Sequence, residues 1–332
     1  MRPATHVPPS ERGAALLTVL LLVAVMAALA ATALERLRLS TALAVNGAAL
    51  DQARAYAIGV ESLLALTVDD LIALSPERTT LAGGWNTQVR RIPMPDGGVV
   101  EARVRDGGNC FNINSVADGR LPGALAARQV GVRQFEDLMR VLEVPQDQAR
   151  RIAEAAGDWV DSDGDSAPAG AEDPQYGGGA ARYRTGNTLF ADISELRTVS
   201  GMTPEIYARL KPWVCALPIA ELSPININTL TLEQAPLLSM LSPGQIPIEK
   251  ARGVIASRPA TGWASQSDFY RTPELVTTLL PLDVQLQPQL RTRWFQADLR
   301  VSLNGAELVE TALVDARIAP ARVVARRWGS DD

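Results

Sequence analysis

The chain has 332 residues, of which 47% are hydrophobic and 5% aromatic, and its formal net charge at pH 7 is -5. This mild acidity argues against a nucleic-acid partner, which normally requires a basic face, and the length corresponds to about two or three compact units. The single histidine, His6, precedes the first apolar segment. If the residues before the apolar segment are removed, the mature chain contains no histidine. It then cannot form a Ser-His-Asp triad, a Cys-His pair or a histidine zinc site.

The first apolar segment, residues 14–34, contains only two polar residues, Thr18 and Thr32. About 20 helical residues span the ~30 Å hydrocarbon core of a bilayer, because each residue rises ~1.5 Å. The composition therefore predicts a transmembrane helix over residues 14–35. A secretory signal is the alternative, because Ala28-Leu29-Ala30 offers the small residues of a cleavage site.

The helical pattern continues beyond the apolar segment, over residues 36–75. No proline occurs between Ala14 and Ser75, and Ser75-Pro76 ends the pattern. Apolar and small residues recur at alternating spacings of three and four, as one face of an amphipathic helix requires. They are Leu50, Ala53, Ala57, Val60, Leu64, Thr67, Leu71 and Leu74. A single long helix favours a retained anchor over a removed signal, which would be shorter.

The residues directly before the apolar segment, Glu11-Arg12-Gly13, form a charged leader that ends in glycine. This junction resembles the processing site of the type IV pilin superfamily, in which a prepilin peptidase cuts after the glycine. The resemblance implies a leader over residues 1–13, cleavage between Gly13 and Ala14, methylation of the new N-terminus and retention of the apolar helix as a membrane anchor.

Two positions depart from the usual pilin pattern. Ala14 replaces the usual phenylalanine, and Thr18 replaces the glutamate usual at the fifth mature position. An intramembrane carboxylate is costly and is kept for a function, which in pilins is thought to be neutralising the N-terminal amine of the preceding subunit. Thr18 therefore fits a tip subunit with none ahead of it, although threonine is also simply cheaper in lipid.

Short alternating segments after the helix predict an antiparallel sheet with one buried face. "TQVRRI" begins at Thr87 and "VVEARVR" at Val99, and "FQADLRVSL" begins at Phe295 before an Asn304-Gly305 turn, a strong hairpin signal. "ELVETALVDA" and "ARVVARRW" complete the set. A long helix on a sheet built from residues 76–109 and 291–332 is the pilin layout, an α+β fold.

A large helical insert separates the two parts of this sheet, and it contains a repeated sequence motif. "FNINSV" begins at Phe111 and "ININTL" at Ile225, which predicts one module over residues 110–216 and another over 217–290. The second resembles a helix-hairpin-helix or SAM-like module, in which Asn and Thr cap the first helix. Such modules often bind DNA through a Gly-x-Gly hairpin. Here Gly244 occupies the first glycine position, but Ile246 occupies the second, and few basic residues flank the hairpin.

The acidic stretch after Asp158 has the oxygen spacing of a calcium loop. With Asp161 as position one, Asp163 and Asp165 occupy positions three and five, and Glu172 occupies position twelve. Ser166 replaces the glycine of an EF-hand, and Asp173-Pro174 predicts that no second helix follows. The stretch is therefore a calcium loop without an EF-hand or, alternatively, a solvated acidic loop, which mutual repulsion disfavours.

The leader, Thr18, the sheet and the insert together resemble the minor pseudopilin K family of type II secretion systems. This resemblance implies a non-enzymatic protein at the tip of a periplasmic filament, anchored in the inner membrane of a Gram-negative bacterium by one helix. The implied partners are the minor pseudopilins I, J and H (GspI, GspJ and GspH), with secreted substrates as further candidates and no nucleic acid. The family's calcium ligands match Asp158, Asp161, Asp163, Glu172 and Asp173, and Asp165 is added from spacing.

A periplasmic body would also lie in an oxidising compartment. We therefore predict a disulfide between Cys110 and Cys215, which flank the first module; two buried free thiols are the alternative. Two other functions remain open on the sequence: a membrane-anchored helix-hairpin-helix protein of DNA uptake, and a carboxylate hydrolase secreted after cleavage at Ala30.

Overall fold

A single helix dominates the N-terminal part of the protein. The computed structural model describes residues 9–119, 121, 123–178 and 183–329, so most of the predicted leader lies outside the described residues. Helix α1 spans Pro9–Leu74, 66 residues without a break, as the pattern predicts. Among the described residues it is the one helix long and apolar enough to span a membrane.

The face of α1 that packs on the body follows the predicted pattern for most of its length. Ala53, Ala57, Val60 and Leu64 are buried, but the next buried residue is Val68 rather than the predicted Thr67. The spacing of threes and fours averages about 3.5 residues, whereas the helix turns once in about 3.6, so the buried face drifts by about half a residue over the nearly five turns from Leu50 to Thr67. The predicted position for Thr67 is therefore wrong by one residue, and Leu74, also predicted on this face, is 84% exposed at the end of the helix.

A five-stranded antiparallel sheet packs against this face, in the order β1-β2-β9-β10-β11. Its strands are β1 (Arg90–Pro93), β2 (Val99–Asp106), β9 (Trp294–Leu303), β10 (Ala306–Asp315) and β11 (Arg322–Trp328). Strand β1 begins at Arg90 rather than at Thr87, because the chain turns at Thr87, whose N–H and hydroxyl both donate to the Gly84 carbonyl. The predicted α+β fold is confirmed.

The register of the sheet places small and branched side chains toward α1. Ala297, Leu299 and Val301 of β9 are buried, and they alternate with polar residues that face away from the helix. The central pairing sets Ala102 opposite Leu299 and Leu299 opposite Glu310. Glu310 is therefore a carboxylate on the buried face of the sheet.

Two helical modules fill the interval between β2 and β9. The first contains α2 (Gln129–Val141), α3 (Gln146–Val160), α4 (Asp173–Tyr176) and α5 (Pro204–Leu210), with strands β3 (Phe111–Asn112), β4 (Ala117–Asp118), β5 (Ala126–Ala127) and β6 (Val214–Cys215). The second contains α6 (Ala235–Ser239), α7 (Ile248–Ala256), α8 (Gln266–Tyr270) and α9 (Leu282–Gln285), with strands β7 (Ile225–Asn226) and β8 (Pro288–Gln289). The largest apolar core joins both modules.

The two Asn-Ile-Asn segments are equivalent structural clamps. Asn114 donates to the Phe190 and Leu217 carbonyls at 2.9 and 2.8 Å and accepts from the Phe190 N–H at 2.7 Å. Asn228 binds both backbone groups of Trp263 in the same way, at 3.1 and 2.7 Å. The repeated motif in the sequence thus reflects buried amides that each hold a distant segment of their own module. In the second module, Thr231 caps a short 3-10 turn, Leu232–Gln234, that precedes α6, rather than the first α-helix expected.

The modules attach to the sheet through a buried polar junction at Asp106, the last residue of β2. Its carboxylate accepts hydrogen bonds from the N–H groups of Gly108 and Asn109 and from the hydroxyls of Thr229 and Thr292. Burial raises the pKa of Asp106, while these hydrogen bonds oppose the rise. The second module is tied in addition to Thr79, just past the end of α1. The modules therefore lie beyond the end of α1 that is remote from the apolar segment.

Cys110 and Cys215 form a disulfide at the base of the first module. Their Cα atoms are 5.8 Å apart across a sequence separation of 105 residues. The bond lies beside the parallel pairing of β3 with β6, in which Asn112 is opposite Cys215. It therefore closes the first module where the chain enters and leaves it.

Candidate metal centre

Helix α3 delivers the chain to the acidic loop. Its alanine-rich face is buried, which fixes the helix in the core of the first module. Asp161 follows the last turn, and its N–H donates to the Gly157 carbonyl at 3.0 Å. The helix ends here because Asp161 is extended, and this turns its carboxylate away from the helix and into the loop.

Three carboxylates converge inside this loop. Asp161, Asp163 and Glu172 each offer an oxygen, and these oxygens lie within 4.8 Å of one another. Asp161 and Glu172 are buried, and Asp163 is exposed. The spacing of positions one, three and twelve thus brings its residues to one point.

The buried members of this cluster lack partners of their own. Within the described structure, Asp161 Oδ1 and Glu172 Oε1 are buried and have no hydrogen-bond partner. Burial, reinforced by the carboxylates of Asp163, Asp158 and Glu172, raises the pKa of Asp161 to about 7. Burial also raises the pKa of Glu172. Uncompensated buried carboxylates are costly, so the cluster suits a bound cation.

Asp158 lies beside the cluster and organises the loop. Its carboxylate accepts the Ala167 N–H at 3.1 and 3.3 Å, and a hydrogen bond from Ala171 also lowers its pKa. Burial outweighs these bonds and raises the pKa to about 6. Gly170 makes room for this group, because a Cβ there would lie 1.9 Å from Asp158 Oδ2.

The two remaining predicted ligands lie at the edges of the loop. The N–H of Asp165 donates to Asp163 Oδ1 at 2.9 Å, and the exposed Asp165 carboxylate is outside the three-residue cluster. Asp173 Oδ1 accepts the N–H and hydroxyl of Thr185 at 2.9 and 3.0 Å. Asp165 and Asp173 therefore support the loop from outside the cluster.

The prediction that no helix follows the loop is wrong. Helix α4 spans Asp173–Tyr176 and is one turn long, with a capping box between Glu172 and Gln175. Pro174 is tolerated because it occupies the first turn, where its missing N–H has no helical partner. The cap fixes the Glu172 backbone beside the cluster.

Two residues that contribute to the site had no signal in the sequence pattern. Glu154, on α3, accepts the Ala169 N–H at 2.6 Å and holds the middle of the loop. The Thr185 hydroxyl, which has one proton, lies between Asp173 Oδ1 at 3.0 Å and Glu172 Oε2 at 3.3 Å and can donate to either. Both act through contacts that join distant parts of the module, which a local spacing cannot indicate.

Oxygen ligands in a flexible turning loop are the donor set that Ca²⁺ prefers, with six to eight oxygens about it. The unpartnered buried oxygens of Asp161 and Glu172 and the convergence of three carboxylates fit such an ion. The sequence offers no histidine after His6, and both cysteines are joined to each other. A hard divalent cation is therefore the metal that this site favours.

The other predicted site residue, Thr18, lies on the exposed surface of α1. Its hydroxyl donates to the Ala15 carbonyl at 2.9 Å. A hydroxyl that is satisfied within its own helix costs little in lipid, whereas a carboxylate at the same place costs more.

Comparison with known proteins matches both modules to one family. Two family models, each described as type II secretion system (T2SS), protein K, match residues 109–219 and 225–290. The type II secretion system protein K of Pectobacterium carotovorum subsp. carotovorum is 33% identical over 96% of this chain and 97% of its own length. That of Klebsiella pneumoniae is 35% identical, with the same coverage of each chain.

A solved structure is similar over most of the fold. The chain is 30% identical to a chain in the crystal structure of the GspK-GspI-GspJ complex from the enterotoxigenic Escherichia coli type 2 secretion system, with a TM-score of 0.73. The match covers 85% of this chain and 97% of the other. Most of this chain therefore shares its architecture with that protein.

Proposed function

The chain belongs to the type II secretion system protein K family and is a minor pseudopilin of that system, and we propose that it occupies the tip of the periplasmic filament. In this role α1 anchors the protein in the inner membrane before assembly, and the body lies in the periplasm. The role is structural, with no catalytic step. Similarity over 85% of the chain to one chain of the GspK-GspI-GspJ complex carries this proposal.

The partners follow from the same similarity. We propose that the chain assembles with the I and J minor pseudopilins of its own system, with H below them. Residues 35–48 of α1 extend beyond the apolar segment without cover, and they include the exposed Leu37, Leu39 and Leu43. Several apolar side chains exposed together on a helix beyond the bilayer are characteristic of a surface that contacts a protein partner. Helices of neighbouring pseudopilins would supply it.

Co-purification tests the assembly. The tagged chain should retain the I and J proteins when all three are produced together. Cells that lack the chain should lose type II secretion. Leu39→Asp with Leu43→Asp should release the partners and leave the folded body intact, because both residues are exposed. Arg54→Glu, at another exposed position on α1, is the matched control. Secretion that continues without the chain would contradict the proposal.

Processing provides a separate test. We propose cleavage after Gly13, which leaves Ala14 as the N-terminus of the mature protein, because α1 runs unbroken past the apolar segment. N-terminal sequencing of the membrane fraction should read from Ala14. A soluble mature chain that begins near Ala31 would exclude both the anchor and the pseudopilin role.

We also propose that the acidic loop holds calcium, through Asp161, Asp163 and Glu172, with Asp158, Asp165 and Asp173 supporting the loop. A bound ion would neutralise the cluster and order residues 161–178 against α3. Its contribution is stability, since an ion that binds only the folded state stabilises it by about 2.7 kcal/mol at a hundredfold excess over the dissociation constant.

Calorimetric titration tests the calcium proposal. The wild-type protein should release or absorb heat on binding calcium, and a chelator should lower its melting temperature. Asp161→Ala with Asp163→Ala should abolish both effects. Asp147→Asn, an exposed carboxylate at the start of α3, should retain them. Equal melting temperatures with and without chelator would leave a solvated acidic loop as the explanation.

The DNA-binding alternative is not favoured. Ile246, at the second glycine position of the hairpin, is buried. Lys250 donates to the Gln245 carbonyl and to the Thr278 hydroxyl, so the nearest cation already serves the fold. A module with this hairpin packs against its neighbours rather than cradling a phosphate.

A further inference from the structure

Outside α1, the second module carries a cluster of exposed large apolar side chains. Val276, Leu279, Leu282 and Leu286, here named the leucine patch, expose between 59% and 85% of their surface. Single exposed apolar residues need no explanation, but several in one short stretch are characteristic of a binding surface. The core of this module is complete without them, since Val284 and Leu280 are the buried residues of the stretch.

The leucine patch borders a cleft between the two modules. One wall is α2, with Val130, Arg133, Asp137 and Arg140, and the other includes Leu241 and Pro281 of the second module. Pro281 and Val284 line the cleft, and Leu282 lies between them in the chain, so one segment carries both the patch and part of this wall. The cleft volume is 510 Å³, within the range of ~300–1,000 Å³ that is usual for ligand sites.

The wall formed by α2 carries excess positive charge. Arg133, Asp137 and Arg140 lie on one helix face, since they are three or four residues apart. Arg140 lies 3.2 Å from Asp137, and the charge of Arg133 also lowers the pKa of Asp137, but the exposed Arg133 forms no close ion pair or hydrogen bond within the described structure. One guanidinium therefore remains for a carboxylate from outside, and guanidinium groups recognise carboxylates with two parallel hydrogen bonds.

A buried amide pair fixes the geometry of the cleft. Gln134 donates to Gln287 Oε1 at 2.5 Å, and Gln287 donates to Gln134 Oε1 at 3.0 Å. Both side chains are buried, and they join α2 to the segment just after α9. The two walls are therefore held in a fixed relation before any ligand arrives, which lowers the entropic cost of binding.

We propose that the cleft and the leucine patch together bind a polypeptide segment of another protein in which carboxylate side chains are interspersed with large aliphatic ones. The guanidinium of Arg133 would take a carboxylate, and the patch would take the aliphatic groups. A membrane surface fits less well, because the apolar groups border a concavity and the modules lie at the end of α1 remote from its apolar segment. The inference does not depend on the proposed role in filament assembly.

Fluorescence polarisation with the full chain in nanodiscs of zwitterionic lipid tests this proposal. The probe is a short labelled peptide of alternating leucine and aspartate, and its counterpart carries asparagine in place of aspartate. The aspartate peptide should bind saturably, and the asparagine peptide should bind about tenfold more weakly, since the guanidinium then loses its charged partner. Arg133→Glu with Arg140→Glu should weaken the aspartate peptide by at least about tenfold.

Matched variants distinguish binding in the cleft from non-specific binding of the peptides. Leu279→Ser with Leu282→Ser should weaken the binding of both peptides. Arg150→Glu, at an exposed arginine of α3 that lies 3.7 Å from Asp147, should leave the binding of both unchanged. Equal binding by the wild type and the Arg133/Arg140 variant, or no saturable binding up to about 1 mM, would overturn the proposal. So would leucine-dependent flotation of the protein with anionic vesicles together with no preference for the aspartate peptide.

Discussion

Gly170 shows how the acidic loop depends on a position that contributes no ligand. A side chain here would meet the carboxylate of Asp158, which receives the Ala167 N–H and thereby closes the loop. No other residue type fits without displacing that carboxylate. The loop's shape is thus set by steric room as much as by charge.

Gly170→Ala should therefore disrupt the proposed calcium site. The new Cβ would lie 1.9 Å from Asp158 Oδ2 and 2.8 Å from Asp158 Cγ, so Asp158 must move and release its backbone donors. We expect a loss of about 1–3 kcal/mol in the free energy of unfolding and weaker calcium heat in a titration. Gly164→Ala is the control, because nothing lies within 4 Å of its Cβ position. An unchanged titration for Gly170→Ala would argue that Asp158 has no organising role.

A second residue-level feature is an excess of buried acid between α1 and the sheet. Glu61 and Glu310 are both buried, and Arg326 is their nearest cation, at 2.6 Å from Glu61 and 3.9 Å from Glu310. Neither carboxylate oxygen of Glu310 has a hydrogen-bond partner in the described structure. Burial and the neighbouring Glu61 raise the pKa of Glu310 to about 8, against the opposing effect of Arg326.

This elevated pKa predicts that stability falls as pH rises. In the unfolded chain Glu310 ionises near its ordinary pKa of 4.5, whereas the folded protein holds the proton until about pH 8. Protonated Glu310 therefore makes its full contribution to the free energy of unfolding below about pH 4.5. This contribution is lost between about pH 4.5 and pH 8, and above about pH 8 it no longer changes.

Denaturation at pH 5 and pH 8 should show this loss in the free energy of unfolding of the wild type, on the order of 3 kcal/mol. The Glu310→Gln variant stays neutral at this position, so its free energy of unfolding should fall less between pH 5 and pH 8. Glu101→Gln, on the outer face of the sheet, should behave like the wild type. Parallel curves for wild type and Glu310→Gln would refute the assignment.

Among the elements, the first module is a closed unit because its two ends meet. Strand β3 pairs with β6, Asn114 binds Phe190 and Leu217 across the interior, and the disulfide joins Cys110 to Cys215. The second module repeats the strand pairing and the asparagine clamp without a disulfide. The covalent bond therefore adds to a closure that backbone pairing already provides.

Replacing both cysteines by serine should lower the stability of the first module without changing its fold. The bond closes a loop with a separation of 105 residues, for which chain entropy predicts ~4–5 kcal/mol, and measured values are usually about 2–4 kcal/mol. Thermal denaturation of Cys110→Ser with Cys215→Ser should show a lower melting temperature, and reductant should produce the same shift in the wild type alone. Alkylation of both cysteines in the native periplasmic protein, without reductant, would reject the bond.

The whole molecule has its bulk at one end of a long helix. The sheet covers α1 from about Ala49 to Val68, and the modules attach at Thr79, just past the end of the helix. Residues 14–48 of α1 extend in the other direction without cover. A subunit of this shape can end a helical filament, but its modules would obstruct a further subunit stacked above.

Thr18→Glu should therefore leave the protein at the tip. The substitution restores the carboxylate that is usual in pilins, but it does not remove the modules that obstruct stacking. Immunogold labelling of overproduced filaments should mark one end for the wild type and for Thr18→Glu, and secretion should not improve. Serine at the same position is the matched control, since it keeps the hydroxyl. Wild-type labelling along the whole filament would contradict the tip position.

The sequence by itself determined the elements whose signals are local. The apolar run, the proline-free pattern and the alternating strands depend on neighbours a few residues away, so α1 and the sheet strands could be predicted nearly to their ends. The spacing from Asp161 to Glu172 likewise indicated the acidic loop, because a turning loop brings alternate residues together.

Only the tertiary structure decided features that depend on distant residues. It drew Asp161, Asp163 and Glu172 into one cluster, turned Asp158 toward Ala167 and placed Glu310 beside Glu61. It also formed the cleft between α2 and the second module. The partners in these contacts are far apart in the chain, and their positions follow from the packing of whole elements, which no local pattern encodes.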